Sequence, residues 1–112
     1  MNTSTTEADK YGNQTIQIAE LSRDRKAIVQ ALLGNAVRLG NLAGYKNYTQ
    51  RSTEFLEQAK KVAKENKLVE YEVKTLLRQV DLMLRIFEKD KAATFLDQAA
   101  TLSVSLKDVY NN

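Results

Sequence analysis

Apolar residues recur at steps of three and four along most of this chain. From about Thr15 the series Ile18, Leu21, Arg25, Ile28, Leu32, Ala36 and Leu39 keeps one face, and Val29, Leu33 and Val37 widen it. That spacing predicts an amphipathic helix running to about Leu42. The stretch GNLAGYKNYT then carries two glycines and two asparagines, so the helix stops there and the chain reverses. A second helix is predicted from about Tyr48 to Asn66, with Ser52, Phe55, Leu56, Ala59, Val62 and Ala63 on one face.

The tetrapeptide ENKL marks a short turn, and a third helix follows from about Leu68 to Glu88. Its inward set is Val69, Val73, Leu76, Leu77, Val80, Leu84 and Phe87, while Leu82, Met83 and Ile86 make its second half apolar almost all round. A helix of that kind is central or covered by a partner, and the central position is expected here. The stripe slips in phase between Phe87 and Phe95, which calls for a break near Asp90, a plausible N-cap. The last helix then runs from Lys91 to Tyr110 with Ala92, Phe95, Leu96, Ala99, Leu102, Leu106 and Val109 inward.

The first fourteen residues are rich in Thr, Ser and Asn without apolar periodicity and read as a flexible leader, leaving residues 15–112 as a single helical domain. The expected fold is therefore all-α: four antiparallel helices forming two helical hairpins, either stacked as repeats or closed into a four-helix bundle.

Composition supports a folded chain. Of its 112 residues 43% are hydrophobic and 28% charged, outside the low-hydrophobicity, high-charge regime of disorder. Proline is absent, and three of the four glycines lie between Gly34 and Gly44, so little else interrupts helices. Cysteine and histidine are both absent. Disulfides, thiolate or imidazole metal sites, and Ser-His-Asp or Cys-His catalysis are excluded with them. Glu70 and Glu72 are a pair of nearby carboxylates, but such acids on an amphipathic helix are normally solvated, and no glycine-rich phosphate cradle accompanies them. The chain is expected to be no enzyme and to need no cofactor. No apolar run approaches a membrane span, and the first residues have neither a basic nor an apolar signal region, so cytoplasmic residence is the expectation.

The net charge of +3 is concentrated in residues 46–91, which hold eleven basic and eight acidic groups. Lys60, Lys61, Lys64 and Lys67 cluster near the end of the second predicted helix, where cations complement the helix dipole. Aromatic residues do not interleave with them, so nucleic-acid binding is not expected.

Two pentapeptides, FLEQA at Phe55 and FLDQA at Phe95, lie forty positions apart. The same offset pairs Val29 with Val69, Val37 with Leu77, Arg38 with Arg78, Ser52 with Ala92 and Val62 with Leu102. LGNAVRLGN, from Leu33 to Asn41, resembles the first helix and turn of a tetratricopeptide repeat. The sets Ser52, Leu56, Ala59 and Ala92, Leu96, Ala99 resemble the small-bulky-Ala pattern of its second helix, where small residues let the hairpin close and the bulky one fills the space between hairpins. The resemblance covers about residues 28–106. The forty-residue period departs from the usual thirty-four, Lys74 stands forty positions after Gly34, and no proline closes either unit.

What the resemblance implies is a small adaptor that binds a peptide or partner helix in a groove. Groove-lining positions of that family carry over to Asn35 and Arg38, and the forty-residue offset adds Thr75 and Arg78, with Tyr71 close by. Asparagine can clamp an extended backbone, and arginine can pair with a carboxylate. Ala31 occupies the position that holds a lysine in members binding C-terminal carboxylates. The alternative is a self-assembling homo-oligomer, with Ala36, Gly40 and Gly44 permitting close helix approach and Leu82, Met83 and Ile86 meeting a second copy.

Overall fold

The computed structural model describes the backbone of residues 3–40 and 48–111, and side chains within 10, 12–39 and 48–105. Five helices make up the described chain: α1 (Thr3–Ser22), α2 (Arg25–Gly40), α3 (Tyr48–Glu65), α4 (Val69–Arg85) and α5 (Lys89–Asn111). No strand occurs among the described residues. The all-α expectation holds, whereas the count of four helices is corrected to five.

The extra helix comes from a break inside the first predicted stripe. Ser22 Oγ donates to the Ala19 carbonyl at 2.6 Å, closing the end of α1, and Arg23 adopts a left-handed φ of 60°. Asp24 Oδ1 then accepts from the main-chain N–H groups of Lys26 at 3.0 Å and Ala27 at 3.3 Å, an N-cap that restarts the chain as α2. Local side-chain hydrogen bonding at Ser22 and Asp24 outcompetes the continuous apolar spacing. Helix α1 begins at Thr3 and so takes in most of the stretch read as a leader. The GNLAGYKNYT turn lies largely in residues 41–47, outside the described residues, as does Gly44. Asp90 falls in the first turn of α5 rather than at its cap, where its carboxylate complements the helix dipole.

Each helix packs antiparallel on the next, and α2 also meets α4; among the described residues the α5 backbone packs on α4, with the Phe95 side chain reaching Lys60 of α3. The result is a slab of 53 × 37 × 17 Å with a radius of gyration of 14.8 Å. A compact chain of this length is expected near about 13 Å. One core cluster joins Ala19 of α1, Ile28, Val29 and Leu32 of α2, and Ala59 and Ala63 of α3. A second joins Ala36 of α2, Leu56 of α3, Leu82 and Met83 of α4, and Ala92 of α5. Helix α4 is thus central, as expected, and its belt residues Leu82 and Met83 are consumed by the core. Ala36 is buried in the same cluster, so it offers no surface to a second copy.

The two pentapeptides occupy matching places on α3 and α5. Phe55 and Phe95 are half-buried, Ala59 and Ala99 buried, and Ser52 and Ala92 buried one turn earlier. Leu56 is 2% exposed but Leu96 is 50% exposed, because α3 lies between α2 and α4 whereas α5 is the outermost helix. In the first half of each hairpin the spacing is different. Arg23 and Lys67, the left-handed residues preceding α2 and α4, are forty-four positions apart. Seven residues separate α2 from α3 but only three separate α4 from α5, which returns the offset to forty.

Candidate functional site

Because α2 and α4 run side by side, their outer faces form an open groove of about 670 Å³. Leu33, Gly34 and Val37 of α2 and Lys74, Leu77 and Arg78 of α4 line it. The described lining is apolar and cationic, with no carboxylate among it. Leu77 is 47% exposed, and Leu84 is exposed further along α4. These two are seven residues apart, so they share one stripe along the helix, with half-buried Val73 and Val80 beside it, and exposed Phe87 follows in the turn after α4. Exposed apolar side chains scattered singly need no explanation, but a stripe of them makes this face the candidate contact surface. The sequence pattern had placed Leu77, Leu84 and Phe87 inward. The buried face instead runs through Thr75, Leu76, Gln79, Leu82 and Met83.

Lys74 sits at the groove edge, 3.6 Å from Glu70 and 5.0 Å above the Tyr71 ring. Both Lys74 and Glu70 are half-exposed, so the pair contributes little and leaves the ammonium open to another carboxylate. Arg78 is exposed and lines both this groove and a smaller recess beside Asp81 and Arg85. Asp81 is paired with Arg85 at 3.2 Å.

The five residues carried over from the repeat resemblance are dispersed. Asn35 is 5% exposed. Its Nδ2 donates to the carbonyls of Gly12 at 3.1 Å and Ala31 at 3.0 Å, and its Oδ1 accepts from Arg38 Nη2 at 3.1 Å. It ties α1 to α2 and has no group left to clamp a peptide. Arg38 faces the α1 side of α2, beside Gly12 and Thr15, rather than the α4 side. Thr75 is fully buried, and its Oγ1 donates to the Tyr71 carbonyl at 2.8 Å. Tyr71 is half-buried, and its hydroxyl accepts from Gln30 Nε2 at 3.1 Å, bridging α4 to α2. Of the five, Arg78 lies in the open groove and Tyr71 at its end.

The forty-four-residue spacing explains the dispersal. It pairs Asn35 with Gln79 and Ala31 with Thr75, all buried, and exposed Gly34 with exposed Arg78. Gly34 is also not the hairpin-closing glycine the resemblance suggested. A Cβ added there meets no described atom within 4 Å. Gly12 is the close-approach glycine: a Cβ there would collide with Asn35 Oδ1.

On the opposite side of α4, Gln79 is buried and joins α4 to α3. Its Nε2 donates to Glu57 Oε1 at 2.7 Å and its Oε1 accepts from Lys60 Nζ at 3.4 Å. Lys60 is also 3.4 Å from Glu57 and 5.2 Å above the Phe95 ring of α5. Lys60 therefore has an internal structural use, while Lys61, Lys64 and Lys67 remain exposed. Neither Gln79 nor Gly12 was marked by the pattern. The available signals were a lone Gln on an otherwise apolar face and a glycine inside a helix.

Among the described residues no three His, Cys, Asp or Glu side chains are grouped to hold a metal ion, and no helix is long and apolar enough to cross a membrane. The chain is thus an all-helical protein with an apolar, cationic groove on one face. No protein-family profile matches it, and neither does any curated protein or solved structure.

Proposed function

We propose that this chain is a non-enzymatic protein–protein interaction module that holds a peptide or partner helix in the groove between α2 and α4. The observation that carries the proposal is the exposed apolar stripe through Leu77, flanked by Lys74 and Arg78, on a face that no described helix covers. Two further features support stacked hairpins over a closed bundle. Helix α2 contacts α4, and among the described residues the backbone of α5 packs on that of α4 alone, its side chains reaching α3 where Phe95 lies under Lys60. In a stack the first helices of successive hairpins lie side by side and present a continuous binding face, which is the arrangement of tetratricopeptide-like arrays.

The test is affinity capture from the native host with tagged full-length chain, wild type against a Leu77→Glu, Arg78→Glu double variant. Both side chains are solvent-accessible, so the variant folds, as a thermal melt will verify. Partners recovered by wild type and lost by the variant carry the proposal. A recovery identical for both removes the groove.

One observation favours a second reading, homo-oligomerisation. The two outermost helices each expose apolar residues: Ile18 and Leu21 on α1, and Leu96 and Val104 on α5. Stacking of one copy's α5 on the next copy's α1 would cover both. Light scattering coupled to size exclusion decides it, since a monomer mass that does not change with concentration leaves this reading without support.

A further inference from the structure

We infer that the occupant of the α2–α4 groove is an acidic amphipathic helix that crosses closest to the module at Gly34. The inference rests on the proposed interaction function and names the partner's chemistry.

The charge comes from the lining. Lys74 and Arg78 are one helical turn apart on α4, and no carboxylate is among the described residues that line the groove. The ion pairs nearby, Lys74 with Glu70 and Asp81 with Arg85, are on the exposed face of the same helix and exchange readily with water. A partner bringing two carboxylates one turn apart would meet both cations, with the guanidinium of Arg78 able to take its carboxylate through two parallel hydrogen bonds.

The secondary structure of the partner follows from which polar groups are absent. An extended peptide leaves its own N–H and C=O groups to be satisfied by the groove. The polar side chains among the described lining residues, Lys74 and Arg78, donate only and offer no acceptor to its N–H groups, and the nearby Asn35 amide and Thr75 hydroxyl are held within the chain. The remaining lining of Leu33, Val37 and Leu77 offers only apolar surface. A helix satisfies its own backbone, and its apolar side chains at steps of three, four and seven match a stripe built with the same spacing on α4.

Gly34 supplies an independent observation. It lies in the middle of α2, exposed, where glycine weakens a helix relative to alanine. No described atom of the chain requires the missing side chain, since none lies within 4 Å of where a Cβ would stand. Its position is the floor of the groove, shared with the neighbouring α1–α2 cleft. A smooth floor there lets a second helix approach α2 more closely than any side chain would permit.

The experiment is selection of displayed random peptides of about sixteen residues, some four helical turns, against the full chain. The enriched peptides are then titrated against purified wild type and variants. The expected result is enrichment of Asp or Glu one turn apart beside an apolar stripe, with helical circular dichroism induced on binding. Gly34→Leu and the Lys74→Glu, Arg78→Glu double variant each weaken binding by about tenfold or more, as removal of a central contact does. Gly34→Ala weakens it while melting higher than wild type, and Lys61→Glu on the exposed face of α3 leaves it unchanged. Peptides that lack acidic residues, that stay extended when bound, or that bind the Gly34→Leu variant as tightly as wild type overturn the inference but keep an interaction module. Self-association of the chain abolished by Gly34→Leu overturns it in favour of a second copy. Recovery of no binding peptide removes the interaction reading and this inference together.

Discussion

The side-chain amide of Asn35 donates to the main-chain carbonyl of Gly12 at 3.1 Å, joining two antiparallel helices where α1 presents no side chain and that of Asn35 fills the contact. A polar residue buried at a helix contact is kept by such a partner, because an unsatisfied amide in that place costs about 1–3 kcal/mol. The same contact explains why α1 needs a glycine in its interior despite the weak helix propensity of that residue.

Gly12→Ala is therefore expected to destabilise the fold by about 1–3 kcal/mol, against the direction set by helix propensity, because the new methyl group displaces Asn35. Urea unfolding followed by circular dichroism measures it. Asn35→Ala removes the obstacle, so the double variant should be more stable than the sum of the single changes predicts, a coupling that a double-mutant cycle reads directly. Additive single effects would mean the two residues are not in contact.

Gly34→Ala should do the opposite. The Cβ meets open space, so only propensity acts, and a gain of about 0.5–1 kcal/mol is expected. In a chain of this length that raises the melting midpoint by a few degrees, roughly 2–6 °C. Two glycines in adjacent helices thus respond to one substitution with opposite signs, and the packing at each position sets the sign.

Gln79 tests what the network with Glu57 and Lys60 contributes. Gln79→Ala leaves a void in a buried position and strips both partners of a hydrogen bond, and a loss of about 1–2 kcal/mol is expected. Both partners reach water, so replacement by an apolar residue of similar size should be tolerated better, with Gln79→Leu within about 0.5 kcal/mol of wild type. Chemical denaturation of the two variants side by side distinguishes filling of space from hydrogen bonding. Equal losses would assign the effect to the hydrogen bonds.

How much of this was legible in the sequence varies by element. The extents of α3, α4 and α5 followed from apolar spacing to within a few residues, and α4 was recognised as central because Leu82 and Met83 leave it no fully polar face. The α1–α2 break was not recognised, because Ile18, Leu21 and Ile28 keep helical steps across it while Ser22 and Asp24 act through hydrogen bonds that periodicity does not register. Matching by the pentapeptides located the second-helix positions Ser52 and Ala92 correctly and misplaced the first-helix ones, because unequal loops shift those by four, about one turn. A shift of one turn keeps the hydrophobic face nearly unchanged, so Arg38 paired with Arg78 looked as plausible as Gly34 does. Which apolar residues of α4 face water was not legible at all. Leu77 and Leu76 are the same residue type, and only the positions of α2, α3 and α5 around the helix separate them.

The three short turns share a device that makes the last prediction. Arg23, Lys67 and Phe87 follow α1, α3 and α4 with φ of 60°, 55° and 62°, a left-handed conformation usually given to glycine. After Lys67 the Leu68 N–H reaches the Ala63 carbonyl at 2.8 Å, and after Phe87 the Glu88 N–H reaches the Met83 carbonyl at 2.8 Å, the six-to-one bond of a Schellman turn. A side chain in this conformation costs about 1 kcal/mol relative to glycine, offset in part by the greater freedom glycine has in the unfolded chain. Lys67→Gly and Phe87→Gly should each stabilise the fold by about 0.5 kcal/mol, read as a rise in the denaturation midpoint at constant slope. Phe87 is 86% exposed, so its ring provides little packing that would offset the strain. If the ring instead extends the exposed Leu77–Leu84 stripe past the end of α4, Phe87→Gly will raise stability and lower the affinity of peptides selected on the α2–α4 groove. Lys67→Gly, at the opposite end of α4, will raise stability and leave that affinity unchanged. A loss of stability in both variants would show that the turns do not carry this strain.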